Sequence, residues 1–505
     1  MIEQLKAFVV VVTLNLAAVF VLSVFLKGTL LGDILRARRA YWIAAIVIAF
    51  VAQNFFVAMA LIGALAYWAA RKDPNPLGVY LLLLLAVPPW GKMVGGFGLF
   101  NELLVLNHFR VLSLCILLPL AIRTFRERGR KSSNRDGGDT KAVDITVVAF
   151  ALFMLLMHVP HESVTTLMRR SVQYGLDLLL PYYVLTRHLR TRQAVMDAMG
   201  SVLIAALLLT PVAVFEYLKG WLIYEPITRG WDIMLMTNIN LERGGRLRAV
   251  ATTSSSIVLG HFFAIALALL GAFLSQLRIQ QALLLGAALL AGIAATLSRG
   301  PMLGAFVIVV LIGLIMRRPV RFYVITLPAL LTISLLGAAL SGGDRLERML
   351  SFGGSEAAGT IDYRMRILET AITLMRQDPL FGNVLVVQDL EHLRQGQGII
   401  DLVNTYVVYG LSYGSIGLGL FVAFLCFGLA AAVRAFIRAR RAKSDLFQPA
   451  AALVLALTAS MIIIATVSDI DSIPLLNTTL VALSLAIVRL QGTVSAKRPQ
   501  KVATA

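Results

Sequence analysis

The sequence predicts an all-α, polytopic integral membrane helical bundle of about 12–14 transmembrane helices. Three observations carry this. Of 505 residues, 58% are hydrophobic and 14% charged, whereas an ordinary soluble domain is nearer half apolar and about a quarter charged. Mean hydropathy is +0.82. Most of the charge falls in short breaks between apolar runs, and about 20 apolar residues suffice for one crossing.

The runs are 6–26, 41–70, 77–95, 97–122, 142–159, 171–186, 194–216, 252–275, 280–297, 301–316, 320–340, 402–433, 449–467 and 473–490. The first is preceded by Lys6 and followed by Lys27 and Gly28 without a small-residue cleavage pattern, so it reads as a retained span. The domain order that follows is N-terminal spans in 1–123, a cytoplasmic linker in 124–141, and central spans in 142–341 with an outside loop at 217–251. A large periplasmic loop at 342–401, C-terminal spans in 402–490 and a cytoplasmic tail at 491–505 complete it.

Loops rich in Lys and Arg stay cytoplasmic. Five such loops, 123–141, 187–192, 317–321, 434–443 and 497–501, alternate consistently and put the C-terminus inside. Residues 158–170, 217–251, 298–300, 342–401 and 468–472 then lie outside. One loop conflicts, because the same count places Arg36, Arg38 and Arg39 outside. Either 41–70 is broken near Gln53 and Asn54, or 29–40 is an interfacial helix whose arginines snorkel to headgroups.

A net charge of +19 could suggest nucleic acid, yet the basic residues are scattered over many short loops, which excludes a nucleic-acid footprint. The cysteines, Cys115 and Cys426, sit inside apolar runs and read as packing residues, not a disulfide framework. The large outside loop contains an amphipathic helix with Ile361, Met365, Leu368, Ile372 and Met375 on one stripe, Thr360 as its N-cap and Pro379 as its stop. His158, His161 and His261 lack metal-ligand spacing, no nucleotide-binding fingerprint is present, and no cofactor is expected.

Three outside stretches set arginines where the charge rule disfavours them: GGRLRAVATTSSSIVLG (244–260), TLSRGPMLG (296–304) and TIDYRMRILETAITLMRQDPLFGN (360–383). GQGIIDLVNTYVVYGLSYGSIGL (396–418) follows, with glycines at 410–419 that permit close helix contact. Arg299 stands out, since it occupies the short break 298–300 between spans. An arginine drawn toward the bilayer centre costs about 2.5–3.5 kcal/mol, and an anionic partner offsets that through charge-assisted bonds of about 1.5–3 kcal/mol each. The competing readings are headgroup snorkelling and a salt bridge to Asp344.

In this order, among this many spans, the four stretches resemble the O-antigen ligase and Wzy-type polysaccharide polymerase superfamily of bacterial inner membranes, over roughly residues 170–420. The resemblance implies a GT-C-like fold in a multi-pass inner-membrane protein. It also implies a metal-independent, inverting transfer of a glycan from undecaprenyl diphosphate to an acceptor hydroxyl on the periplasmic face. Arg248, Arg299 and Arg364, with Arg246 beside them, map to the arginines that hold the diphosphate, and Tyr363 and Tyr406 to substrate contacts. Guanidinium forks suit a diphosphate better than ammonium groups do.

In the ligases a His-Asn pair opens the span after the large loop; here Leu402, Val403 and Asn404 stand there. Val403 cannot accept a proton, and D-x-V-N-T-Y instead resembles the exopolysaccharide polymerase branch. A sugar hydroxyl needs a base during attack. Asp401 beside Asn404 is the first candidate, with His392 and Glu391 next; for all three the competing reading is a solvated loop. Asp177, an intramembrane carboxylate, is either a substrate contact or a buried partner of Tyr174 or a neighbouring helix. Glu216 either binds acceptor hydroxyls or pairs with Lys219. Lipid-linked oligosaccharide as donor and acceptor, membrane lipid, a chain-length regulator and a flippase are the partners the resemblance implies. A ligase acting on a lipid or protein acceptor, and a secondary transporter or lipid-linked glycan flippase, are the rival functions.

Overall fold

The computed structural model describes residues 2–96, 102–130, 141–233, 242–243, 245–315, 355–386, 390, 402, 404–468 and 470–496, with backbone alone at 102–103, 128–130, 355–364 and 493–496. The bundle begins with α1 (Ile2–Phe25). Thr29 then accepts the Gly32 N–H through its hydroxyl and starts α2 (Leu30–Val51). Asn54 accepts the N–H groups of Phe56 and Val57 and starts α3 (Phe55–Lys72). The run 41–70 is therefore two helices, broken at 52–54 by a side chain that caps better than it propagates.

α4 (Pro76–Leu83) is far shorter than the expected span 77–95. Pro88 and Pro89 lack the N–H a helix needs, and the chain turns at 84–87 while still buried. It continues as an antiparallel hairpin of β1 (Lys92–Gly95) and β2 (Glu102–Leu106), so the expected span 97–122 starts only at His108. α5 (His108–Leu112), a π turn at Ser113–Leu117 and α6 (Leu118–Arg130) form one rod that extends helix into the expected linker 124–141.

α7 (Lys141–His158) precedes a second rod of α8 (Val164–Tyr174), a π turn at Gly175–Leu179 and α9 (Leu180–His188). α10 (Arg192–Lys219) ends at Gly220 in the left-handed region, the usual helix stop. The loop 217–251 holds α11 (Ile227–Trp231) and a short hairpin of β3 (Glu242–Arg243) and β4 (Arg246–Leu247). α12 (Ser256–Leu270), capped by Ser255, α13 (Ile279–Ala295) and α14 (Arg299–Ile315) follow. After α15 (Ser355–Gln377) come α16 (Thr405–Arg441), α17 (Phe447–Ile464) and α18 (Ile473–Ala496). The expected span 320–340 lies outside the described residues.

Nine helical segments among the described residues are long and apolar enough to cross a membrane, and α13 and α14 are shorter apolar helices. The protein is a multi-pass membrane bundle. α10, α12 and α18 form its buried centre, whereas α1 turns an apolar face outward, as a lipid-facing helix does.

The two ends differ. At one, Arg38 meets Asp197 and Ser201, Arg192 donates to the Asp445 carbonyl, Arg187 pairs with Asp144, and Ser275 bonds Gln448. At the other, Trp231 donates to the Ala52 carbonyl, Gln4 to the Phe50 carbonyl, and Thr405 to the Val467 carbonyl. The break at 52–54 thus brings Arg36, Arg38 and Arg39 to the same basic end as 187–192 and 434–443, and the conflict with the charge rule disappears.

α15 departs from its expected form in two ways. It starts at Ser355, so Thr360 lies inside it rather than capping it. Met365, Leu368 and Ile372 of the expected stripe are exposed, while Ile367 and Ala371 are buried with Leu402, Leu411, Val386 and Leu390 in a small core separate from the main one.

Candidate active site

At the end opposite the basic one, four non-helical segments converge. The arm 248–255 comes off α10 by way of Glu216. Its carboxylate, at 0% exposure, accepts the N–H groups of Val250 (2.9 Å), Ala251 (2.7 Å) and Ile223 (3.1 Å). The Ala249 N–H donates to the last carbonyl of α13, Ala295 (3.0 Å). Arg248, itself buried, then donates Nη2 to the Ser298 hydroxyl (2.9 Å) and Nε to the Thr296 carbonyl (3.3 Å).

The second segment, 296–298, ends at Arg299, the first residue of α14. Arg299 is exposed, and no described residue pairs with it. A helix N-terminus adds partial positive charge to the guanidinium. The third segment joins α17 to α18. Gly300 packs against Thr466 and Val467 so closely that a side chain there would overlap them, and Thr405 donates both its N–H (2.9 Å) and its hydroxyl (2.7 Å) to the Val467 carbonyl. The fourth is the buried turn after α4. Its Leu85 carbonyl accepts the Thr252 hydroxyl (2.6 Å), and its Leu84 carbonyl accepts from His108 Nε2 (2.8 Å). Irregular backbone at membrane depth persists only where protein satisfies it or it lines a cavity.

Strained backbone gathers at the same place. Ala251 (φ 47°), Leu297 (φ 48°) and Asp471 (φ 54°) occupy the left-handed region without being glycine, one on each of three converging segments. Each such residue costs about 1–3 kcal/mol, and such strain clusters at functional sites. The Asp471 carboxylate takes the Ser472 hydroxyl (3.3 Å) and faces Ser254 of the arginine arm. The side chain is itself exposed, but the loop atoms packed around it raise its pKa to about 6, against the opposing effect of the Ser472 hydrogen bond.

Several expected contacts are built differently. Glu216 neither faces the outside nor pairs with Lys219; backbone amides consume both its oxygens. Asp177, by contrast, partners a neighbouring helix as one of its two structural readings expected: Arg110 of α5 holds it through Nε to both oxygens (3.1 Å each) and Nη2 (2.7 Å). The Tyr406 phenol donates to the Met461 carbonyl (3.0 Å). Asn404 caps α16 through the Tyr406 N–H (2.9 Å). Arg246 sits on β4 with its guanidinium 5.9 Å from the Tyr217 ring. Asp401, Glu391, His392 and Asp344 lie outside the described residues, as do the side chains of Arg364 and Tyr363. Among the described residues no cluster of His, Cys, Asp or Glu is placed to hold a metal ion.

Asp471 and Ser254 escape a reading by motif. The signal was present, as S-D-I-D-S at 468–472 reads as an outside loop between two spans.

The arrangement is a polar cluster of hydroxyls with one anchored arginine, one exposed arginine and one exposed carboxylate. Residues 282–422 match the family model Wzy_C, described as O-antigen ligase. This segment is similar to the O-antigen ligase family. No curated protein matches the chain. The matched segment supplies α14 with Arg299, α15, and the Asn404 cap of α16, while Arg248 and Asp471 reach the cluster from connecting loops on either side of it in the chain.

Proposed function

We propose that the protein is a polysaccharide polymerase of the bacterial inner membrane. It joins repeat units carried on undecaprenyl diphosphate, at the periplasmic face, by metal-independent inverting transfer. The match to the O-antigen ligase family supports glycosyl transfer of the ligase or polymerase type. The observation that carries the reading to this site is the pair formed by exposed Arg299 and buried Arg248 on one turn, 296–299. Two guanidinium groups at one end of the bundle suit a lipid diphosphate, whose charge grows as the glycosidic bond breaks.

In this reading Arg248 and Arg299 hold the donor diphosphate, joined by Arg364 from the helix of the large loop. The acceptor hydroxyl attacks the anomeric carbon, polyprenyl diphosphate departs, and a carboxylate takes the proton. Asp401 is the base suggested by motif; Asp471 is the base suggested by position, because its raised pKa keeps it a competent acceptor near neutrality. Val403 at the position of the ligase histidine favours polymerase over ligase. The broken helix α4 is a feature transporters share, and product formed by purified protein without an ion gradient separates the enzyme from a transporter.

Arg248→Ala and Arg299→Ala should each abolish long polymer in cells at normal membrane levels. Each loses a charge-assisted contact, which lowers donor turnover about tenfold or more. Deletion should accumulate short lipid-linked units; full-length unattached polymer would mean a ligase, and normal polymer in both arginine variants would dismiss the site.

Asp471 gives a pH test. Its carboxylate is charged above about pH 6 and protonated below, so kcat/KM should fall about tenfold per pH unit below that point and level off above it. Asp471→Asn should lose about 10²–10⁴ in rate. A full-activity Asn variant with the same acid limb would return the role to Asp401.

A further inference from the structure

We propose that Glu216 is a positioning residue, which holds the strained arm behind Arg248 and thereby aims that arginine at the donor diphosphate. The inference rests on the functional reading above. Two roles are already excluded by geometry: the side chain is wholly buried, so it touches no substrate, and it has no cationic partner among the described residues.

Its three hydrogen bonds divide in a telling way. Oε1 takes the Ile223 N–H, fastening the turn that follows α10, whereas Oε2 takes two consecutive amides of the arm, Val250 and Ala251. The Glu216 backbone carbonyl meanwhile accepts the Gly220 N–H (2.9 Å), closing the helix. Ala251 is one of the three strained non-glycine residues, at φ 47°. Its left-handed conformation lets two neighbouring N–H groups point at one oxygen, the arrangement of an anion-binding nest. A carboxylate satisfies such a nest with one oxygen; a carboxamide cannot satisfy it and Ile223 together, because its second heteroatom only donates.

Arg248 lies two residues from this nest, and the Ala249 N–H between them is tied to Ala295. Releasing the nest frees Ala251 to relax toward negative φ, which swings the chain at 248–250 relative to Ser298 and Thr296.

The test uses full-length protein purified in detergent, with undecaprenyl diphosphate as the probe. Glu216→Gln should speed amide exchange across 249–251 and weaken diphosphate binding about tenfold, with a larger effect on donor KM than on kcat. Glu216→Gln combined with Ala251→Gly should recover part of that loss, because glycine accepts the left-handed conformation without strain. Unchanged exchange at 249–251 in Glu216→Gln would overturn the proposal. So would faster exchange with unaltered diphosphate affinity, provided that Arg248→Ala loses binding in the same assay. If Arg248→Ala also binds normally, the donor-site reading has failed instead, and the exchange result alone reports on the anchor.

Discussion

Gly414→Ala is expected to leave little folded protein, with a loss of more than about 3 kcal/mol from the combined backbone and contact effects. Gly414 sits inside α16 at φ 61°, ψ −167°, a conformation open essentially to glycine alone. The helix is interrupted there, and the segment after α15 supplies the missing partners. The Asn383 N–H donates to the Leu411 carbonyl (2.8 Å), the Ser415 N–H to Pro379 (2.9 Å), and the Ile416 N–H to Leu380 (3.2 Å). Gly382, at φ 69°, faces Gly414 across this staple. A Cβ on Gly414 would overlap the Leu380 carbonyl, and one on Gly382 the Leu411 carbonyl. Parting the two strands would leave those amides and carbonyls without partners where water is scarce, at several kcal/mol each. The staple also fixes α15 and its small core against the start of α16. The check is the monodisperse fraction and melting temperature after extraction. Gly419→Ala is the control, since its Cβ would meet nothing within 4 Å. Equal behaviour of the two variants would show that the staple carries no stability.

This staple also shows where the sequence stops being informative. The glycines at 410–419 read as a surface for close helix packing, and nothing local says that one of them breaks the helix to receive a segment from thirty residues earlier. Apolar run lengths did reveal most of the helices, because burial in lipid demands continuous apolar stretches. They failed at 77–122, where averaging hydropathy hid Pro88, Pro89 and a hairpin whose strands are as apolar as a span. The polar pair Gln53 and Asn54 did announce a break, as Asn54 is a strong cap. In the site, Arg248 and Arg299 stood out as charges in costly places, and the fold brings the 248 arm and the 296–299 turn together. Glu216 was visible as an acid at the end of a span, but its burial and its task depend on amides more than thirty residues away. Asp471 meets Ser254 across more than two hundred residues, a proximity no periodicity encodes. The packed face of α15 was misjudged because the most apolar stripe is not the one that meets Leu402 and Leu411.

Arg38→Leu should destabilise the bundle by about 3–5 kcal/mol, the cost of leaving buried charges without their partner. Arg38 is 1% exposed. It donates Nε (2.8 Å) and Nη2 (2.7 Å) to the two oxygens of Asp73, Nη1 to the Ser201 hydroxyl (2.6 Å), and stands 2.8 Å from the Asp197 carboxylate. Asn75 closes the cluster by donating to Asp197 (2.7 Å) and to the Ala194 carbonyl (3.0 Å). One guanidinium therefore neutralises two carboxylates and joins α2, the α3–α4 junction and α10. Gly78 leaves the space, since a side chain there would overlap both Arg38 and Asp197. Removing the arginine strands two acids in a buried site, whereas removing every charge at once strands none. Arg38→Leu should accordingly lose yield and melting temperature, and Arg38→Leu with Asp73→Asn and Asp197→Asn should recover a large part of both. Arg38→Lys should fall between the two, because an ammonium keeps a positive charge beside the acids but cannot fork onto Asp73 and still reach Ser201. If the triple variant melts no higher than Arg38→Leu, unpaired charge is not the source of the loss, and the geometry of the guanidinium bridge itself holds the three elements together.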